Sequence, residues 1–336
     1  MIAARLVKRS SPDVFKFISA AYAHSTWTKH EAAVNSFKAF QLSTADASSW
    51  PLSSPVLSEY VSWAFTEKNL KSTTVSSYLS SLKSVHQMQE LDVKAFDSYV
   101  LKTMLRGREN MEIYSEETKA SRKVMTLALL RVLGHELSIS GWSENSKQVV
   151  WGAFTLAFFG SFRLGEILPQ NENAFCPEDT LLWEDIKFVS EDHILIHLKS
   201  PKSRQPEGEF VDIFNFEGFG VCPVKALTRL KSSLTCCQPS SPVFSFSSGI
   251  FLSRRKVNEI LLNFLSPHIG EEAAHVTGHS FRAAIPAVLA KFPEVASSSD
   301  IMGWGRWRSE AYLSYTRLKT DQKRTTFSTI TNLLKI

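Results

Sequence analysis

Apolar residues between about 12 and 110 recur at helical intervals, and the two-residue alternation of a half-buried strand is absent there. The spacing predicts an all-α unit. In STWTKHEAAVNSFKAFQ, Ser25 stands where a helix cap is expected, and Trp27, Ala33, Val34, Phe37 and Phe40 share one face. SSPVLSEYVSWAFTEK opens on Pro55 and gathers Val56, Tyr60, Trp63 and Ala64 on one side. KSTTVSSYLSSLKSVHQM carries a stripe of Val75, Tyr78, Leu79, Leu82 and Val85. Lys71, Lys83 and several serines lie off that stripe, leaving a mildly basic, hydroxyl-rich face. A fourth helix, FDSYVLKTMLRGREN, ends in Arg106, Gly107 and Arg108, and the polar stretch up to Lys123 reads as a linker.

The second half mixes types. Helical patterns at about 124–137 and 143–160 precede two or three strand-like runs, LLWEDIKFV, HILIHLK and GEFVDIF. The last two flank KSPKSRQPE, whose prolines and charges predict a hairpin loop. Helices are predicted again at Pro223, Ser253, His279 and Ser309, with a final one over about 321–336, while Ser297 to Ser299 read as loop punctuation. The expected fold is mainly α with a small antiparallel β-sheet in the second half. The run VVWGAFTLAFFGSF, 149–162, falls short of the ~20 apolar residues that span a bilayer and predicts a buried helix.

At 336 residues the chain exceeds the size at which single cores stop growing, so two domains are expected, over about 1–115 and 116–336. With 43% hydrophobic and 21% charged residues, disorder is excluded. A net charge of +5 permits a polyanionic partner without demanding one. The four cysteines, Cys176, Cys222, Cys236 and Cys237, form no CxxC pair and suggest neither a zinc site nor a disulfide framework. MIAARLVKRSS is followed by no apolar run of signal-peptide length, so an intracellular protein with no membrane partner is expected.

Chemistry concentrates at a few positions. In LAFFGSFRLGEIL, Arg163 and Glu166 stand three apart behind a helix too apolar to be exposed. They read either as an internal ion pair ending that helix or as an arginine aimed at phosphate and oriented by the acid. TGHSFRAAIPAVLA puts His279 and Arg282 one turn apart near a helix start, a place that favours anions, although His279 could equally be a plain cap. MGWGRWRSEAYLSYTR interleaves Trp304, Arg306, Trp307 and Arg308 with Tyr312 and Tyr315, which share a face, so at most one of the tyrosines enters a given site. Lys199 and Lys202 lie in the hairpin loop. Two arginines, a histidine, a lysine and a late tyrosine, with no carboxylate cluster to hold Mg²⁺, specify metal-free phosphoryl transfer to a protein nucleophile, with no cofactor.

This arrangement of R-x-x-E, hairpin lysine, H-x-x-R and C-terminal tyrosine resembles the tyrosine recombinases, the phage-integrase superfamily, over nearly the whole chain. KSTTVSSYLSSLKSVHQ is similar to a helix of the family's core-binding domain. ILIHLKSPK is similar to its catalytic hairpin, CPVKALTRL and SRRKVNEILLNFL fit the middle of its catalytic domain, and GRWRSEAYLSYTR resembles eukaryotic mobile-element branches. The resemblance implies a helical DNA-binding domain over 1–115 and a catalytic domain over 116–336. By it, Arg163 and Arg282 clamp the scissile phosphate, Tyr315 attacks it, and His279 assists. Lys202 protonates the departing 5′ oxygen, Glu166 orients the arginines, and Trp307 fills the family's His or Trp position. Two departures stand: the family's usual interval back from Tyr315 lands on Arg306, and Lys199 rivals Lys202. Pro286 should also perturb the first turns of the helix after His279.

The implied partners are double-stranded DNA and three further copies of the chain, a homo-tetramer on two DNA sites held by the C-terminal helix. The implied setting is DNA-associated, in a nucleus or a nucleoid. Two other readings share these residues: a type IB topoisomerase, and a catalytically silent DNA-binding protein derived from a recombinase.

Overall fold

Each half of the chain buries its own apolar face. The computed structural model describes residues 11–44, 50–114, 123–199, 208–216, 220–234, 238–292 and 295–307. The chain divides into two compact units, Met1–Lys119 and Ala120–Ile336.

In the first unit, α1 (Pro12–Ala20), α2 (His24–Thr44), α3 (Ser54–Thr66), α4 (Ser72–Met88) and α5 (Tyr99–Tyr114) surround an aromatic core. Tyr60 meets Phe37 and Phe40 edge-on, with ring centroids 5.3 and 5.7 Å apart, the arrangement aromatic quadrupoles prefer. The α4 stripe is buried at Val75, Leu79, Leu82 and Val85. Helix boundaries differ from those expected, among them the start of α5 at Tyr99, three residues after Phe96. Helix α2 begins at His24, one residue before the expected cap Ser25. Helix α5 runs on to Tyr114 through the first residues of the expected linker. Glu112 gives those residues a reason to stay helical, since its carboxylate accepts the Ser72 backbone N–H at 2.7 Å and the Ser72 hydroxyl at 2.9 Å, and pairs with Arg108 at 3.2 Å.

The second unit is built on α7 (Glu144–Phe159), capped by Ser143, whose residues from Val149 to Phe158 are buried apart from Trp151. Around it lie α6 (Leu127–Ile139), α9 (Pro223–Ser232), α10 (Arg254–Ile269) and a three-stranded antiparallel sheet in the order β1 (Ile186–Phe188), β2 (His193–Leu198), β3 (Glu209–Phe214). Register pairs Ile194 with Ile213 and Ile196 with Val211. Ile194, Ile196, Leu198 and Ile213 enter the core, and on the other face His193 and His197 stack on Phe214 and Phe210.

Two expectations are corrected and one is met. LLWEDIKFV is a strand only over Ile186–Phe188; Trp183–Asp185 is a 3-10 turn, closed where Asp185 accepts the Leu182 N–H. The helix expected at His279 is broken, as Pro286 leads one to expect, into α11 (Gly278–Arg282) and α12 (Ala284–Leu289), because Pro286 has no N–H for the Arg282 carbonyl. The serines read as loop punctuation instead start α13 (Ser298–Gly305): Ser297 Oγ accepts the Asp300 N–H at 3.2 Å while Asp300 accepts the Ser297 N–H at 2.8 Å, a reciprocal cap. The helices expected from Ser309 and over 321–336 lie outside the described residues. Among those residues Cys176 and Cys222 are free thiols, and no helix is long and apolar enough to cross a membrane.

Candidate active site

The site grows from the end of α7. Gly160 and Ser161, the latter in the left-handed region at φ 48°, turn the chain so that Phe162 folds back into the core. A Cβ at Gly160 would stand 2.1 Å from the Phe162 ring, so only glycine fits there. The reversed chain delivers Arg163 to the start of a short helix, α8 (Leu164–Ile167). The Arg163 backbone N–H donates to Glu166 Oε2 at 2.9 Å and its Nη1 to Oε1 at 2.5 Å, so the expected pair exists and closes the turn.

Helix α11 brings the second arginine. Thr277 caps it, Asn258 on α10 accepts the Gly278 N–H at 2.9 Å, and Phe281 packs on Phe154 of α7 at a ring distance of 5.4 Å. These anchors leave Arg282 only 1% exposed. Its Nη1 donates to the Ser161 carbonyl at 2.8 Å and lies 3.9 Å from Glu166, its Nη2 donates to the Arg306 carbonyl at 3.2 Å, and the Trp307 ring sits 5.4 Å from its guanidinium carbon. Burial pushes Arg282 down from 12.5 to about 9, with Glu166 opposing, so it remains a cation at neutral pH.

A third guanidinium completes the cluster. Arg306 Nη1 donates to the Gly160 carbonyl at 2.7 Å; its Nη2 reaches the Ser161 carbonyl at 3.2 Å and Glu166 Oε2 at 3.0 Å, while Phe162 lies under it at 4.7 Å. Glu209 of β3 approaches its Nε at 3.7 Å. Burial alone would raise the Glu166 pKa. Arg306, then Arg282, the Arg163 N–H and the Arg163 charge outweigh it and hold the carboxyl below its ordinary range.

The structure thus brings Arg163, Glu166, Arg282 and Trp307 together. His279 is exposed on the first turn of the helix that buries Arg282. Lys199 pairs with the buried Asp185 at 2.8 Å. Lys202, Tyr312 and Tyr315 lie outside the described residues. The sequence offers Arg306 only as a rival of Trp307, through the family interval that lands on it, and gives no sign of its bond to Glu166. Among the described residues no group of His, Cys, Asp and Glu could hold a metal ion. Three guanidiniums around one carboxylate form a site suited to an anion whose charge grows during reaction.

The mainly helical chain with its small three-stranded antiparallel sheet has the fold seen in solved tyrosine recombinases. Among solved structures, the integrase of the Tn1549 transposon, in complex with transposon right end DNA, is similar over 98% of both chains at 13% identity, with a TM-score of 0.60. The XerH site-specific recombinase, bound to a palindromic difH substrate in a post-cleavage complex, is 12% identical over 90% of this chain and 79% of its own, also with a TM-score of 0.60. No protein-family model and no curated protein matches the sequence.

Proposed function

We propose that the chain is a site-specific DNA recombinase or integrase that cuts and rejoins DNA through a 3′-phosphotyrosine. The observation that carries this reading is the convergence of Arg163 and Arg282, from segments far apart in sequence, on the single carboxylate Glu166. In this reading the unit Met1–Lys119 grips duplex DNA and Ala120–Ile336 performs the chemistry. Arg163 and Arg282 neutralise the non-bridging oxygens of the scissile phosphate, and Glu166 keeps the two guanidiniums in register. Trp307 packs on Arg282, and His279, exposed beside it, serves the proton moves. Tyr315 attacks, its phenol bond forming to phosphorus as the bond to the 5′ oxygen breaks, and Lys202 supplies the proton that oxygen takes up. The pairing of Lys199 with Asp185 supports Lys202 as the hairpin lysine for that step. The phosphotyrosine conserves the bond energy, so rejoining needs no nucleotide. The likeness in fold to an integrase and a recombinase solved with DNA supports the same partner here.

The test uses a pool of random-sequence nicked duplexes, so that no target need be known beforehand. Wild-type protein and Tyr312→Phe should form a covalent adduct that survives denaturation and forms in EDTA, whereas Tyr315→Phe should form none. Adduct with Tyr315→Phe, or strict dependence on Mg²⁺, would sink the reading. DNA recovered from the adduct then defines the target duplex.

A further inference from the structure

Arg306 ends α13 in the left-handed region, at φ 51° and ψ 47°. That conformation favours glycine, and two glycines, Gly303 and Gly305, stand close by in the same segment. An arginine held there runs against the local preference, and its side chain supplies the reason. The guanidinium bonds two carbonyls of the α7 turn, at Gly160 and Ser161, and the Glu166 carboxylate, while its own carbonyl accepts from Arg282. The Ser161 carbonyl accepts from Arg282 as well. Arg306 and Arg282 therefore share one acceptor, contact one carboxylate and are joined by a direct bond. Gly305 makes the turn possible, since a Cβ there would stand 2.3 Å from the Trp307 ring. The next residue, Trp307, lies over Arg282.

We propose that Arg306 is a positioning residue of this site: its guanidinium fixes Glu166 and its carbonyl fixes Arg282, so that one left-handed residue sets the spacing of the two phosphate-binding arginines. The proposal rests on the recombinase reading for the ligand those arginines take. It divides the labour at the end of α13, with Arg306 turned inward to the carboxylate and Trp307 lying over Arg282. It also states why lysine would not serve, because an ammonium cannot present the planar fork that spans the Gly160 and Ser161 carbonyls and Glu166 together.

Arg306→Gly is the informative variant, since glycine suits the left-handed turn and removes the side chain without straining the backbone. On the recovered target duplex its single-turnover cleavage should fall by ~10²-fold while duplex binding stays near wild type, the mark of misplaced catalytic groups. Adding Glu166→Gln should cost little more, because the two residues act as a unit. Arg306→Lys should lose ~10-fold and keep the wild-type pH profile. A folded Arg306→Gly that cleaves at the wild-type rate, or losses that simply multiply with Glu166→Gln, would overturn the proposal. Should the glycine variant not fold, a wild-type cleavage rate in Arg306→Lys would overturn it instead.

A reading without DNA separates this proposal from the recombinase assignment. The charged groups facing Glu166 are Arg163 on its own turn, Arg282 from α11 and Arg306 from α13, and Glu209 of β3 stands behind Arg306. The infrared carboxyl band of Glu166, isolated by subtracting Glu166→Gln, should titrate at higher pH in Arg306→Gly than in wild type. An unchanged midpoint rejects the positioning role. A failure of wild-type protein to form any covalent adduct rejects the recombinase reading, and this titration then decides the Arg306 linkage alone.

Discussion

Arg282 spends both terminal nitrogens on carbonyls, at Ser161 and Arg306, and such geometry belongs to a fork rather than to a charge. Arg282→Lys should therefore keep the cation, lose one of the two anchors and cut cleavage by ~10² or more with DNA binding much less affected. Unchanged cleavage in that variant would remove Arg282 from the site. Glu166 adds a pH dependence whose sign follows from its neighbours. Its folded pKa lies below the ordinary 4.5, so the carboxylate's stabilisation is complete above that value and is lost as pH falls through the depressed one. Glu166→Gln lacks that contribution and leaves buried guanidiniums without their counter-charge, at a cost of ~3 kcal/mol at neutral pH. Thermal unfolding of the two proteins should differ most near pH 7 and converge in acid as Glu166 protonates. A gap that widened in acid would contradict the ion pairing described.

At the scale of elements, the seat of α11 on α8 is a contact with no slack. A Cβ at Gly278 would lie 2.2 Å from Leu164 Cδ1 and 2.8 Å from its Cγ, and Leu164 is itself buried at 6% exposure. Gly278→Ala should thus push α8 away, costing ~1–3 kcal/mol of stability. It should also slow cleavage, because Arg163 and Glu166 ride on the displaced turn. Leu164→Ala in the same chain should recover part of the lost cleavage by making room; a double variant no better than Gly278→Ala alone would show that the clash is absorbed elsewhere. The same elements show what was legible beforehand. The α7 helix announced itself by a run of apolar residues that only a core could accept, and the R-x-x-E turn and the H-x-x-R helix followed from short local spacings. Helix α13 was missed because Ser297 and Asp300 signal a cap only when the intervening serines are read as a first turn, and serine clusters read equally well as loop. The contacts of Arg306 were not legible, because its partners, the Gly160 and Ser161 carbonyls and Glu166, are far away in sequence and come from a turn that no periodicity describes. The β1 strand was drawn too long because the apolar side of LLWEDIKFV is shared by a 3-10 turn, where Asp185 bonds the backbone instead of facing solvent.

For the whole molecule, the tetramer that the recombinase resemblance implies would turn on residues 321–336. Phe327, Ile330 and Leu334 fall on one stripe of that helical pattern with Leu333 alongside, and an apolar stripe of this kind requires a cover. Two covers are physically distinct. A stripe folded onto its own unit would contribute to that unit's core, so deleting it would lower the thermal midpoint and leave assembly limited only by stability. A stripe docked on a neighbouring copy, as the recombinase resemblance implies, makes a head-to-tail contact; where its rotation closes, repetition gives a ring, which the resemblance sets at four copies around two duplexes. Only Leu318, Lys319 and Thr320 separate the helix expected to carry Tyr315 from the docked segment, so docking would also tie the nucleophile of one copy to its neighbour. Deletion of 321–336 should accordingly leave a folded protein with a near-wild-type thermal midpoint that binds one target duplex, forms no two-duplex complex in gel-shift or light-scattering measurements, and does not recombine. Normal two-duplex assembly by the truncated chain, or a thermal midpoint lowered in step with lost single-site binding, would place the stripe on its own unit and remove the basis for the ring.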